Sequence, residues 1–461
     1  MATATPETVT PEQGSAPRSP VAVERAPGRW ITHWDPEDEA FWEGGGRAIA
    51  RRNLIFSILA EHLGFSVWVM WSIVTVNLNA VGFAFTESQL FWLVAIPSLV
   101  GATLRLPYTF AVPRFGGRNW TVVSALLLVI PCAALVWAVS NPDTTFPVML
   151  LVAALAGFGG GNFASSMTNI SWFYPEKEKG WALGLNAAGG NIGVAVVQAP
   201  FVVAALITAG AGIHLERAGL LYIPLALLAA GFAWRYMDNL SVARTDFASS
   251  AAVAKKQHTW VMSFLYIGTF GSFIGYAAAF PLLIKGQFPD VNVTTYAFLG
   301  ALVGSLIRPL GGRLADRVGG ARITALSFVA MGMGVLGVVW SLSLHSFGLF
   351  FASFMLLFVA TGVGNGSTYR MIPAIFRHEV DGNDEGAVTV ARRQAAAAIG
   401  IISAIGAYGG FLVPRTYGWS TESFGSIVPA LYVYVGVYAV MLAVTWFFYL
   451  RPSSKMAPAG V

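Results

Sequence analysis

Charge is scarce in this chain. Asp, Glu, Lys and Arg make up 11% of its 461 residues, against roughly a quarter in soluble domains, which excludes a water-soluble globular fold. Cysteine occurs once, as Cys132 in an apolar run, so no internal disulfide can form and the residue reads as core packing. The sequence holds no P-loop, no HExxH, no cysteine-rich metal spacing and no Gly-x-Gly-x-x-Gly after a strand. Enzyme chemistry, a metal and a cofactor are therefore not expected. The net charge of +5 is spread over loops and is no nucleic-acid signal. Residues 1–29, rich in Ala, Thr, Pro and Glu, lack an apolar segment. They read as a disordered tail and not as a signal peptide. The following WDPEDEAFWEGG reads as a short surface segment.

Apolar residues are abundant: 56% of the chain is hydrophobic, with 32 Phe, 15 Trp and 50 Gly. Runs long enough to cross a bilayer, about 20 residues each, fall near 54–79, 89–112, 120–140, 146–172, 181–209 and 218–238. Six more fall near 259–284, 294–314, 321–344, 347–376, 388–414 and 426–450. An all-α membrane protein with twelve spans is expected. Its divisions are a tail (1–53), a six-helix bundle (54–238), a linker (239–258), a second bundle (259–450) and a tail (451–461).

Lys and Arg gather in alternate connections. One set holds Arg51, Arg52, Arg114, Arg118, Lys177, Lys179, Arg244, Lys255 and Lys256, and continues with Arg313, Arg317, Arg322, Arg377, Arg392, Arg393, Arg451 and Lys455. The opposite set holds few: Arg217, Lys285 and Arg415. The positive-inside rule places both termini and the linker in the cytoplasm, with the protein in the inner (cytoplasmic) membrane.

An internal repeat supports six plus six. In Leu99–Arg118 and in Leu302–Arg322, LVG is followed, after three intervening residues, by an arginine, and a Gly-Gly pair begins eleven residues beyond it. GFGGGN at Gly157 and GVGNGS at Gly362 also correspond. Parallel halves with a site between them are the design of the major facilitator superfamily, and GGRLADRVGG (Gly311–Gly320) resembles that superfamily's cytoplasmic loop motif.

The repeat puts Arg105 and Arg308 at matching depths of the second and eighth spans, with no acidic residue in either span to pair with. A single such arginine would be read as snorkelling to the interface. Two at equivalent positions point to a shared anion site. A guanidinium is planar, forked and permanently charged, which suits a small planar oxyanion. Two of them repel across an empty site, so closure around a loaded site is favoured, which is the logic of obligatory exchange.

The stretch NFASSMTNISWFYP with ALGLNAAGGNIGVAVVQ resembles the nitrate signature of the NarK-type nitrate/nitrite porter family. So do WDPEDEAFWEGGGRAIARRNL, LRLPYTFAVPRFGGR, LYIGTFGSFIGY, TGVGNGSTYRMIPAIF and ISAIGAYGGFLVP. The resemblance runs from about Trp34 to Arg451. It implies the two-bundle fold, nitrate and nitrite as substrates, rocker-switch alternating access and Arg105 and Arg308 as the binding arginines. It also implies Asn191 and Tyr266 as hydrogen-bonding partners, Phe163 and Phe270 as rings sandwiching the anion, and Phe65 as a closing residue. For the aromatics the residues alone favour core packing, and for Asn191 a helix–helix hydrogen bond serves equally.

Exchange of nitrate for nitrite is the leading expectation, with a functional link to a cytoplasmic-side nitrate reductase. A nitrate/proton symporter is the alternative, and an anion channel or non-transporting sensor comes third. Exchange is favoured because the spans offer few titratable groups beyond Glu61 and His62. Those two, and Arg370, are candidates for a gate or relay, weighed against a charge partner at the mouth and snorkelling respectively.

Overall fold

The computed structural model describes residues 23–210, 212–243, 252–380, 382 and 384–456. Arg244 and the terminal residues 1–22 and 457–461, on which sequence expectations fell, lie outside them. Twelve helices among the described residues are long and apolar enough to cross a membrane. They are α1 (Glu39–Val81), α2 (Glu87–Phe115), α3 (Gly117–Val139), α4 (Phe146–Phe173), α5 (Glu176–Gln198) and α6 (Glu216–Tyr236). The second six are α7 (Gln257–Gln287), α8 (Val293–Val318), α9 (Gly320–Ser343), α10 (Phe347–His378), α11 (Gly386–Phe424) and α12 (Val428–Leu450). The chain is a multi-pass membrane protein.

Local chemistry sets the helix ends. Thr86 and Gln89 form a capping box at the start of α2, the Thr86 hydroxyl accepting from Gln89 N at 3.2 Å and Gln89 Oε1 from Thr86 N at 2.9 Å. α2 and α8 both stop at glycines with positive φ, Gly116 at 87° and Gly319 at 101°, a conformation that side chains with a Cβ rarely adopt. These are the first glycines of the repeated Gly-Gly pairs. α5 ends before the sequence suggested: Ala199 is extended ahead of Pro200, and a short helix with a π turn completes the passage.

The segment before the first span differs from expectation. Arg25–Ala26 (β1) pairs antiparallel with Trp30–Ile31 (β2), which pairs in parallel with Asn239–Leu240 (β3). Asp238, fully buried, holds this corner. Its carboxylate takes Arg25 Nε at 3.1 Å, Arg29 Nη2 at 2.8 Å and Arg52 Nη2 at 2.5 Å. Residues 23–29 are therefore tethered, though mostly exposed, and not a free tail, because three arginines offset the cost of burying one carboxylate. Likewise the polar WDPEDEAFWEGG stretch is already helical from Glu39, with a kink at Gly45, where φ is 146°.

The halves meet along α2 with α11, α5 with α8 and α1 with α7. At the face where α2 begins, Ser88 donates to Glu422 at 2.7 Å. Deeper in, Gln198 donates to the Ala277 carbonyl at 2.7 Å, and the hydroxyls of Thr103 and Tyr408 are bonded at 2.9 Å. At the basic face Arg392 approaches Glu176 at 3.9 Å.

Candidate functional site

Close helix packing sets the depth of the site. A Cβ on Gly101 of α2 would lie 3.0 Å from Gly160 Cα of α4, so only glycine allows this approach. It brings Arg105, one turn beyond Gly101, onto α4. Arg105 and Arg308 each lie ten residues before the last residue of their helices, Phe115 and Val318, about 15 Å in from the basic face.

Arg105 is fully buried. Its Nε donates to the Gly160 carbonyl at 3.2 Å and its Nη1 to the Ser403 carbonyl of α11 at 2.8 Å, while Nη2 has no partner among the described residues. Its guanidinium carbon stands 4.6 Å from the Phe163 centroid and 4.9 Å from that of Phe270, within cation–π range. Phe65 meets Phe163 edge-on at 6.1 Å.

A row of rings leads from this arginine towards the other. Phe163 stacks on Phe270 at 6.0 Å, Phe270 on Tyr266 at 5.3 Å, and Tyr266 leans on Tyr369 at 6.3 Å. Arg308 lies 5.6 Å from the Tyr369 centroid, buried, with Nη1 unpartnered. Phe270 belongs to a π turn in α7 (Ile267–Gly271), an irregularity often found at functional sites. The turn presses on α11, where a Cβ on Gly409 would lie 2.5 Å from Gly271 Cα.

The two phenyl rings proposed to sandwich an anion are 6.0 Å apart, centroid to centroid. Two van der Waals contacts on a flat guest need about 7 Å. A guest between them requires the rings to part by about 1 Å, or lies along their edges.

Several buried polar atoms here lack partners among the described residues: the hydroxyls of Tyr266 and Tyr369, both side-chain ends of Asn191, and Asn365 Oδ1. Orphaned buried groups carry a desolvation cost, and a polar guest would repay it. Asn191 is on α5, which packs against α8. Tyr369 and Asn365 lie within TGVGNGSTYR but had no role assigned from sequence. Only the adjacent Arg370 stood out there, because a charge is visible in an apolar run and a tyrosine is not.

The three other candidates fall in different places. Glu61 is fully buried and interacts electrostatically with both Arg105 and Arg308. Its Oε2 accepts from Ser166 and from Asn186 Nδ2, the latter at 2.6 Å, and Oε1 has no partner. His62 turns instead to the Gly189 carbonyl, 3.2 Å from its Nδ1. Arg370 lies outside the ring row. It is exposed and ion-paired with Asp316, within the second half.

The Major Facilitator Superfamily model matches residues 56–391. The chain is 44% identical to the nitrate/nitrite transporter NarU of Salmonella typhimurium, an alignment covering 92% of this chain and 97% of NarU. It is 37% identical to the probable nitrate/nitrite antiporter NarK2 of Thermus thermophilus, over 94% and 99% of the two chains. Among solved structures, a D-xylose-proton symporter superposes with a TM-score of 0.64 at 16% identity, covering 86% of this chain and 97% of that one, a likeness of fold alone. By family model and full-length relatives together, this chain belongs to the NarK-type nitrate/nitrite porters of the major facilitator superfamily.

Proposed function

We propose that the protein carries nitrate and nitrite across the membrane by alternating access, exchanging nitrate inward for nitrite outward, with the anion held between Arg105 and Arg308. The observation that carries this reading is the pair itself. Two buried arginines at matching depth in the two halves each keep a guanidinium nitrogen unpartnered, and a row of four rings lies between them. Forked guanidinium groups suit a planar oxyanion, and the hydroxyls of Tyr266 and Tyr369 with Asn191 supply further donors. The names of the full-length relatives support the substrate class.

Arg105 donates across the halves to Ser403. An anion that draws its fork away loosens that bond, so occupancy and the seam between the halves are linked. The basic face is assigned to the cytoplasm, where nitrite formed by a nitrate reductase is the outgoing anion.

Purified protein in vesicles preloaded with nitrite, nitrate or neither tests this. Labelled nitrate should enter several-fold faster when either anion is inside. Uptake indifferent to the internal anion would overturn the exchange reading.

A further inference from the structure

We propose that the basic face of the first half carries a site for an anionic phospholipid, its phosphate held by Arg25, Arg52 and Arg235 and an acyl chain lying along α6 beside α1. The end of α6 gathers the charge. Arg118 donates to the Trp234 carbonyl through Nε at 2.8 Å and Nη2 at 2.6 Å. Arg29 donates to the carbonyls of Arg235 at 3.0 Å and Tyr236 at 3.3 Å. The last carbonyls of the helix thus draw two arginines onto its end. Asp238 adds Arg25 and Arg52, and Arg235 itself is exposed in the last turn. Five guanidinium groups meet there, and among the described residues Asp238 is the only carboxylate paired with any of them.

Arg29 and Arg118 are occupied by backbone carbonyls, but the other three retain donors. Arg52 Nε is buried with no partner among the described residues, and Arg25 and Arg235 are exposed. Arginines that only set the topology act through their charge. That role gives no reason for a buried N–H to lack an acceptor, which costs free energy. A phosphate oxygen supplies the acceptor, and guanidinium groups suit it.

Deeper along the same helices the surface turns apolar. Leu228, Phe232 and Tyr236 follow at one-turn spacing on α6, and all three are exposed. Phe56, one turn from Arg52 on α1, stacks on Tyr236 with centroids 4.9 Å and planes 9° apart, and lies 5.9 Å from Phe232. Trp234, 59% exposed, stands 5.9 Å from the Arg118 guanidinium carbon. Rings at a charged rim with an apolar strip beneath match the headgroup level of a bilayer. This continuity favours a lipid over a soluble anion. The positive-inside rule gives this face to the cytoplasmic leaflet, whose anionic lipids attract arginines. A lipid bound there ties β1, α1 and α6 together, away from the ring row between Arg105 and Arg308.

The purified full chain, stripped of lipid in detergent, is titrated with phosphatidylglycerol, with zwitterionic phosphatidylcholine and with inorganic phosphate, and apparent Kd values are read from thermal shifts. Phosphatidylglycerol should bind at least about tenfold tighter than phosphatidylcholine. Arg235→Gln should weaken phosphatidylglycerol about fivefold, leaving phosphatidylcholine and the lipid-free melting temperature unchanged. Arg52→Lys keeps a charge for Asp238 but loses the Nε donor, and should weaken it similarly. Arg317→Gln, at an exposed arginine on the basic face of the second half, should bind as the wild type does. If Arg52→Lys fails to fold, Arg235→Gln decides alone. Equal binding of the two lipids, or phosphatidylglycerol affinity retained in Arg235→Gln, would overturn the proposal. Inorganic phosphate binding as tightly as phosphatidylglycerol would reveal a soluble-anion site and overturn the lipid assignment.

Discussion

Arg105 of the first half donates through Nη1 to the backbone carbonyl of Ser403 in the second, at 2.8 Å. One side chain is therefore both a candidate anion ligand and a bond across the seam between the halves. Arg105→Lys keeps the charge but loses the fork. Charge-assisted bonds contribute about 1.5–3 kcal/mol each, so nitrate exchange should fall by about tenfold to a hundredfold in this variant, and similarly in Arg308→Lys. Counterflow of labelled nitrate in vesicles reads this directly, and near wild-type rates in either variant would contradict the site.

The hydroxyl of Tyr369 is buried and unpartnered, so Tyr369→Phe removes a group that stabilises nothing in this structure. Thermal stability in detergent should be unchanged or slightly higher. The KM for nitrate should rise about fivefold, the worth of one neutral hydrogen bond. A large loss of stability with unchanged KM would show the hydroxyl to be structural.

Asp238 is buried, which works to raise its carboxyl, yet the Arg52 bond with the Arg29 and Arg25 charges holds it below the usual carboxylate value. A lowered folded value means that its stabilisation is present above the unfolded value, about pH 4, and is lost as pH falls through the folded one. Thermal stability of the wild type should therefore drop on acidification below about pH 4. Asp238→Asn should be several degrees less stable at neutral pH, because three arginines lose their shared partner, and should lose this part of the acid dependence. An unchanged melting temperature at neutral pH would refute the structural role.

Gly409→Ala places a Cβ 2.5 Å from Gly271 Cα, where backbone meets backbone and neither side can yield cheaply. Transport should be largely lost and stability lowered by about 1–3 kcal/mol. Gly332→Ala, with nothing within 4 Å of its added Cβ, serves as the control and should behave as wild type.

Much of this arrangement was legible in the sequence, for physical reasons. Bilayer spans announce themselves by length and apolarity, and a lone guanidinium in an apolar run stands out, as Arg105 and Arg308 did. The repeated Gly-Gly pairs marked equivalent places in the two halves, and the structure has positive φ at the first glycine of each, Gly116 and Gly319. Arg370 shows the limit: its depth resembled that of a site arginine. One residue along a helix is a rotation of about 100°, so Tyr369 joins the ring row while Arg370 points out to meet the exposed Asp316. The order of residues 23–29 was hidden because Asp238, which holds them, lies more than two hundred residues away. Glu61 was visible as an isolated carboxylate, but its bonds to Ser166 and Asn186 depend on how α1, α4 and α5 pack.

A double-mutant cycle on nitrate affinity tests the central claim most directly. Kd is measured for wild type, Arg105→Lys, Arg308→Lys and the double variant, using nitrate-dependent thermal shifts of the purified chain. If one anion spans both forks, each single change should cost nearly as much as the double, with a coupling above about 1 kcal/mol. Strictly additive losses, or wild-type affinity in either single variant, would contradict an anion held between Arg105 and Arg308.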